Sequence, residues 1–344
     1  MSAITRRIIP ATALAGAMAL LLAGCVQGEG SGEAAANADS EGGKWSTSEL
    51  SIDWATYNPL SLVVKDQGLI EEALGDDVTV KWEQSAGSNK ANELLRSGSV
   101  DVGSTAGSAA LFARANGSPI KVIDIYSQPE WSAIVVGKDS EITDVAQLKG
   151  KSVAATKGTD PYFFLLQSLE EAGLTLDDVE VQNVQHADGR ALLDGGSVQA
   201  WSGLDPIMAA AESESGAKLI YRNVDFNTYG FLNATEEFIT DHADVAQVVV
   251  DAYEDARAWA LEHPEETAAL LADAASIDPA VAETVISERS NLDVSGVPGD
   301  AQVQVLQKIA PIIADSGDVS GGQEALDAAI DSIVDDTFAR KATE

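Results

Sequence analysis

Apolar positions change their period along the chain. An unbroken apolar run from Ala11 to Leu22 follows the basic pair Arg6 and Arg7. Residues 26–43, rich in Gly, Ala, Ser and acids, show no apolar period. Such a segment cannot build a core and reads as a flexible tether. From Glu49 onward, short apolar runs alternate with helix-period stretches. Residues 50–54, 78–82, 100–103 and 120–126 read as strands. Asn58-Pro59 opens a helix that ends near Gly68, with Asn as N-cap and Pro in the first turn. Ser88 or Asn89 caps a helix to Ser97 that Gly98 closes, and residues 108–115 form another. Strands alternating with helices predict a mostly parallel α/β sheet.

Residues 133–136 read as a connecting strand, and then the pattern restarts. Strands are predicted at 152–155, 179–184, 198–202 and 219–221. Helices start at Asp160-Pro161, at Asp188 and at Asp205, and 229–233 is a second connecting segment. A second α/β unit is thus inserted within the first, with two chain crossings between two lobes. Beyond it, Val245, Val248, Val249, Tyr253, Ala256 and Trp259 recur at helical spacing. His263-Pro264 breaks that helix and Asp278-Pro279 starts another. Val303, Leu306, Ile309, Ile312 and Ile313 line a third, which Pro311 is expected to kink or end. These stripes read as packing faces against the first lobe. The implied division is a leader at 1–24, an anchor residue and tether at 25–47, the first lobe at 48–133, the second at 134–234, and helices returning to the first lobe at 235–344.

The only cysteine is Cys25, so no disulfide can form within the chain. It directly follows the apolar run, which is too short to span a membrane and ends in small residues, as a secretory signal does. Leu22-Ala23-Gly24-Cys25 resembles the lipobox of bacterial lipoproteins. That resemblance implies that Cys25 carries a diacylglyceryl thioether and becomes the new N-terminus. The expectation is an exported protein, held at the extracytoplasmic face of the cell membrane only through its acyl chains, each buried methylene contributing about 0.8 kcal/mol.

The 344 residues include 21 Lys and Arg against 55 Asp and Glu, a formal net charge of -34. The leader holds two arginines and no acid, so the remainder is more acidic still. Phosphates would be repelled, which argues against nucleic acid as a partner. Because the acids are spread along the chain, they read as a solubility feature.

Ligands of open parallel sheets bind beyond the carboxyl ends of the strands, where helices begin. The loops there carry small residues, hydroxyls and amides, such as Gly103-Ser-Thr-Ala-Gly107 and Thr156-Lys-Gly-Thr-Asp-Pro161. Amides exposed at helix starts favour an anion. The same residues are also ordinary helix caps.

The ordered set of loops resembles the aliphatic-sulfonate binding proteins of ABC importers, from about Ile52 to Trp259. It comprises Tyr57-Asn58-Pro59-Leu60, Gly87-Ser88-Asn89-Lys90, the loop at 103–107, Tyr126-Ser127-Gln128-Pro129-Glu130-Trp131, the loop at 157–161, Gln185-His186-Ala187-Asp188-Gly189-Arg190, Gly203-Leu204-Asp205-Pro206 and Asn227-Thr228-Tyr229-Gly230-Phe231. The resemblance implies a type II periplasmic-binding-protein fold: two α/β lobes, two crossing segments and a ligand cleft between them. It also implies a small sulfonate as ligand, a permease and an ATPase as partners, a monomer, and no cofactor. Carried onto this chain, Asn58, Ser88, Asn89, Ser104, Thr105, Ala106, Thr159 and Asp160 line the cleft. The amides near Thr105 and Ala106 take the sulfonate oxygens. Tyr57, Trp131 and Tyr229 pack on the organic part, Arg190 neutralises the anion, and His186 donates to it. Asp205 either caps its helix or pairs with a ligand amine.

Pyrimidine-precursor synthases resemble these proteins in part, but need iron and a cysteine-rich segment that this chain lacks. The three histidines, His186, His242 and His263, have no metal-ligand spacing. There is no Gly-x-Ser-x-Gly elbow and no P-loop. The sequence therefore predicts a binding protein without catalysis. A different small anion, a heteroaromatic ligand, or a sensor role remain the alternatives.

Overall fold

A computed structural model describes residues 44–344. The leader, Cys25 and the tether to residue 43 lie outside the described residues. The first strands and helices are β1 (Glu49–Trp54), α1 (Pro59–Gln67), α2 (Leu69–Leu74), β2 (Thr79–Gln84), α3 (Ser88–Ser97), β3 (Val102–Ala106), α4 (Gly107–Ala115) and β4 (Ile120–Ser127). The inserted unit holds β5 (Ser132–Val136), β6 (Ser152–Ala155), α5 (Asp160–Glu171), β7 (Glu180–Asn183), α6 (His186–Asp194), β8 (Ala200–Leu204), α7 (Ile207–Ser215) and β9 (Lys218–Tyr221). Then come β10 (Gly230–Thr235), α8 (Glu236–Asp241), α9 (Ala243–Glu262), α10 (Pro264–Ala275), α11 (Pro279–Thr284), α12 (Asp300–Asp315), α13 (Gly322–Ile333) and α14 (Thr337–Ala342).

Local signals account for the starts and stops of α1. Asn58 accepts from the Ser61 amide, Pro59 fills the first turn, and Gly68 closes the helix at φ 65°. In α3 the expected cap is absent. Ser88 is itself the first helical residue, and neither Ser88 nor Asn89 caps the helix.

The strands form two five-stranded sheets, ordered β2-β1-β3-β10-β4 and β7-β6-β8-β5-β9. Both are mixed where the sequence predicted mostly parallel pairing. β10 runs antiparallel to β3 and β4, and β5 antiparallel to β8 and β9. Each odd strand is the first after a crossing. A chain entering a lobe from the cleft runs away from it, whereas the other strands run towards the loops that line it. Sheet membership also moves the expected borders. β5 joins the second sheet from Ser132, and β10 lies in the first sheet, although residues up to 234 were assigned to the second lobe. An apolar run reads alike in either sheet, and only its non-local pairing tells them apart.

The tether is shorter than predicted. Trp45 donates from Nε1 to the Leu74 carbonyl at 2.9 Å, and the Ser46 amide donates to Asp244 at 2.9 Å. Residues 44–47 thus rest on the body rather than in a linker, because the Trp45 ring finds an apolar surface to cover.

Leu60, Val63 and Val64 of α1 and Val245, Val249, Tyr253 and Ala256 of α9 form one cluster with Leu50, Ile52 and Val102 of the first sheet. Each fully buried side chain of this size contributes about 1.5–3 kcal/mol. Leu306, Ile309 and Ile313 of α12 pack with Ala110 and Leu111 of α4 and with Phe163 and Phe164 of α5. The C-terminal helices therefore touch both lobes, not the first alone. Pro311 lies on the exposed side of α12, which continues past it to Asp315. Buried Ile309 and Ile313 hold the helix on either side of it.

After α11 the chain forms a π-helical turn, Val285–Ser290, and leaves it at Asn291 with φ 42°. The first crossing binds to this turn. The Glu130 amide donates to the Arg289 carbonyl at 2.8 Å, and the Gln128 amide to the Asn291 carbonyl at 3.1 Å.

Candidate ligand-binding cleft

Asp53, at the end of β1, is fully buried. Its Oδ1 accepts from the Ser104 amide and hydroxyl, both at 2.8 Å, and its Oδ2 from Ser85 Oγ at 2.6 Å. Burial outweighs these bonds and pushes its pKa up to about 6. Asn58 Nδ2 donates to Ser104 Oγ at 2.8 Å, and Tyr57 Oη to the Ser104 carbonyl at 2.8 Å. Asn58 and Ser104 thus have partners within the first lobe. Asp53, the acid that gathers them, was not singled out in the sequence, since an acid in a strand carries no local signal.

The loops after β2 and β3 also satisfy each other. The Ala106 amide, expected to grip the ligand, donates to Ser88 Oγ at 2.9 Å. α3 begins against the end of β3, and an amide buried there must find a partner. Thr105 Oγ1 accepts from Asn233 Nδ2 of β10 at 2.9 Å.

Asp160 joins the two lobes. This residue at the start of α5 is 1% exposed. Its carboxylate accepts from Ser108 Oγ of α4 at 2.5 Å and from Trp131 Nε1 of the first crossing at 2.8 Å. It also accepts from the amide and hydroxyl of Thr228 in the second crossing, both at 2.8 Å. Burial raises its pKa despite these donors. Thr159 turns inward, its hydroxyl donating to the Thr156 carbonyl at 2.6 Å.

His186 makes a second lobe-to-lobe contact. A side-chain carbon on Gly87 would stand 3.0 Å from its Nε2, so the ring lies against the first lobe's backbone. Thr156 Oγ1 donates to the Val184 carbonyl at 2.7 Å, which leaves it to accept from His186 Nδ1 at 3.2 Å. Nε2 is then the bare acceptor and has no partner, and neither has the nearby Asn89 Oδ1. Burial depresses the imidazole pKa to about 4. His186 is therefore neutral at pH 7, with one ring nitrogen a donor and the other an acceptor.

Between the lobes lies a cavity of about 10 Å³, bordered by Tyr57, Ser127, Trp131, Asp205, Arg289 and Ser290. That is room for roughly one water molecule. Tyr57 and Trp131 meet edge to face at 6.2 Å between ring centroids. The N-cap position of α7 is Pro206, and Asp205, one residue before it, accepts through Oδ1 from the first-turn amide of Ala209 at 2.9 Å. The same carboxylate faces Arg289 Nη1 at 3.2 Å, while Arg289 Nη2 reaches Glu212 at 2.8 Å. Burial raises the Asp205 pKa to about 6 against the opposing pull of Arg289.

Of the fourteen predicted ligand residues, Tyr57, Trp131 and Asp205 border this cavity and the other eleven do not. Arg190 pairs with Asp194 at 3.4 Å and with Glu214 between α6 and α7, away from the cavity. It sits one helical turn past the loop, so its side chain follows the neighbouring helix. Tyr229 packs on the apolar cluster under α5, and its carbonyl accepts from the Gly107 amide at 2.9 Å. Conversely, Arg289 and Ser127 border the cavity but were not predicted. Ser127 lay within a recognised loop. Arg289 belongs to a π-helical turn, a form frequent at functional sites but without a sequence period. Among the described residues, no group of three or more His, Cys, Asp or Glu side chains is placed to hold a metal ion.

Two mixed sheets, two crossings and a cavity where opposing strand ends meet define the periplasmic-binding-protein fold. The chain belongs to the NMT1/THI5-like family, whose sequence profile matches residues 74–267. It is 29% identical over 295 residues to a Bacillus subtilis (strain 168) protein named for aliphatic-sulfonate binding, covering 84% of this chain and 86% of that one. A protein of the same name from Escherichia coli (strain K12) is 28% identical over 249 residues, covering 72% of this chain and 77% of the other. Among solved structures, the alkanesulfonate-binding protein of Xanthomonas axonopodis pv. citri bound to MOPS superimposes with a TM-score of 0.71. It is 24% identical and covers 86% of this chain and 98% of its own. A desulfurization enzyme shares the fold at 14% identity and a TM-score of 0.63, covering 86% of this chain and 99% of its own. The fold alone therefore does not separate binding from catalysis.

Proposed function

We propose that this protein is the extracytoplasmic solute-binding component of an ABC importer. It captures a small aliphatic sulfonate between its lobes and passes it unchanged to a permease that an ATPase drives. The observation that carries this reading is the Asp160 cluster. One side chain of the second lobe takes donors from the first lobe and from both crossings, among them Trp131, which borders the cavity. A ligand that bridges the lobes favours the closed arrangement by its differential affinity for it. Both curated relatives are named for binding the same ligand class, which supports the sulfonate.

The apolar run before Cys25 supports export. Its small-residue ending supports lipidation of Cys25 and anchoring at the membrane. Replacing Cys25 with Ser should release the protein into the soluble fraction.

The test is calorimetry with ethanesulfonate and longer alkanesulfonates, with the ligand recovered afterwards for mass spectrometry. Saturable binding at micromolar affinity or better, with intact ligand, is expected. Consumption of the ligand would overturn the reading in favour of an enzyme. Binding of nitrate or of a thiamine-precursor pyrimidine in place of sulfonates would overturn the ligand class.

A further inference from the structure

Many polar groups at the strand ends are already partnered. The first lobe's Asn58, Ser88, Ser104 and Thr105 bond to one another or to neighbouring strands, and Asp160 is fully engaged. Two buried polar atoms bordering the cavity are not. Ser127 Oγ, on a residue 1% exposed, has no hydrogen-bond partner, and neither has Arg289 Nε, on a residue 7% exposed. Arg289 is held rigidly, because Asp205 and Glu212 take its two terminal nitrogens and the first crossing binds its carbonyl. A buried donor left bare is costly, so such atoms mark where a partner belongs. Here both border one space, and both can donate.

Two charged residues border that space, Asp205 and Arg289, and they face each other at 3.2 Å. An anionic group drawn to Arg289 would therefore also meet the Asp205 carboxylate. A ligand that also presents a donor or a positive charge to Asp205 would not be repelled there.

We infer that Arg289 Nε and Ser127 Oγ hold the anionic oxygens of the ligand, and that Asp205 selects ligands carrying an ammonium or hydroxyl a few bonds from the anionic group. This rests on the sulfonate-binding reading above. Tyr57 and Trp131 border the same space, their rings meeting edge to face. The cavity is too small for such a ligand with the lobes as they stand, so entry needs them to part slightly.

The experiment is calorimetry of the purified protein with ethanesulfonate, 2-hydroxyethanesulfonate and 2-aminoethanesulfonate. The unsubstituted protein should bind the two substituted compounds at least about 10-fold more tightly than ethanesulfonate. Charge-assisted bonds are worth roughly 10–100-fold in affinity. Arg289→Gln should therefore weaken all three by about 100-fold and Ser127→Ala by about 5–10-fold. Asp205→Asn should lose the preference, bringing the three affinities within about 2-fold of one another. Arg289→Gln leaves two acids unpaired and can unfold the protein; Ser127→Ala removes only an unpartnered hydroxyl and keeps the test decisive. Tight sulfonate binding that Ser127→Ala and Arg289→Lys leave within 2-fold would overturn this subsite and leave the importer reading intact. Equal affinity for all three compounds would overturn the role of Asp205. No sulfonate binding at all would overturn both readings together.

Discussion

At the scale of single residues, the cleft is governed by what buried acids and one imidazole can tolerate. Asp160 accepts four hydrogen bonds from three residues. Asp160→Asn puts an NH2 group where donors already point, so at least one bond becomes a donor–donor clash. A loss of about 1–3 kcal/mol in denaturant unfolding is expected. Small-angle scattering should show a more open average shape. His186 gives a pH prediction. Its pKa falls from 6.5 to about 4 on folding, so its neutral form contributes stability that is complete above pH 6.5 and is lost as pH falls towards 4. At 1.36 kcal/mol per unit the window is worth about 3 kcal/mol. Asp53 acts in the opposite sense. Its raised pKa makes the fold lose stability as pH rises from 3.8 to about 6. The informative measurement is therefore a difference, unfolding of His186→Gln against the unsubstituted protein at pH 7 and pH 4.5. The unsubstituted protein should lose the more of the two on acidification. Equal losses would remove His186 from the account.

At the scale of elements, the crossings matter most. β10 enters the first sheet at Gly230, where an added side-chain carbon would run into the Tyr126 ring and lie 2.7 Å from Ser127 Oγ. Gly230→Ala must push Tyr126 off its neighbour Trp131, whose ring centroid stands 6.4 Å away. Overpacking of this kind costs about 1–3 kcal/mol, read as a lower melting temperature. Because Ser127 moves too, ligand affinity should fall as well. The long helix α9 shows how far element patterns can be read. Its apolar stripe was legible and packs as expected, yet buried Arg257 interrupts it. Arg257 donates to the carbonyls of Tyr126 at 3.2 Å, Leu292 at 3.0 Å and Ile125, pinning the helix to the end of β4. A charged residue at a helical position reads as a solvated one, and nothing local says otherwise.

At the scale of the whole molecule, two properties are expected from closure and charge. A ligand present at 100 times its dissociation constant stabilises the native state by about 2.7 kcal/mol, which raises the melting temperature by about 4 °C for a chain of this size. A net charge of -34 repels itself. Adding 0.5 M sodium chloride should therefore raise the melting temperature without ligand. A fall with salt would mean that the buried pairs, not the surface, dominate the electrostatics.

The strand and helix alternation, the inserted second unit, the helix starts at Asn58-Pro59 and Asp160-Pro161, and the loops that face the cleft were all written in local order. Period and capping depend on residues a few positions apart. Whether a polar group in those loops is spent or free was not. Ser104 finds Asp53 at a separation of 51 residues, Asp160 finds Thr228 at 68, and Arg289 finds Asp205 at 84. β10 takes its place in the first sheet by pairing with β3 over a still longer span. Only the folded chain brings such partners within hydrogen-bond reach, and so only the tertiary structure decided that the Ala106 amide is occupied, that Arg190 is elsewhere, and that Arg289 stands at the cavity with a donor to give.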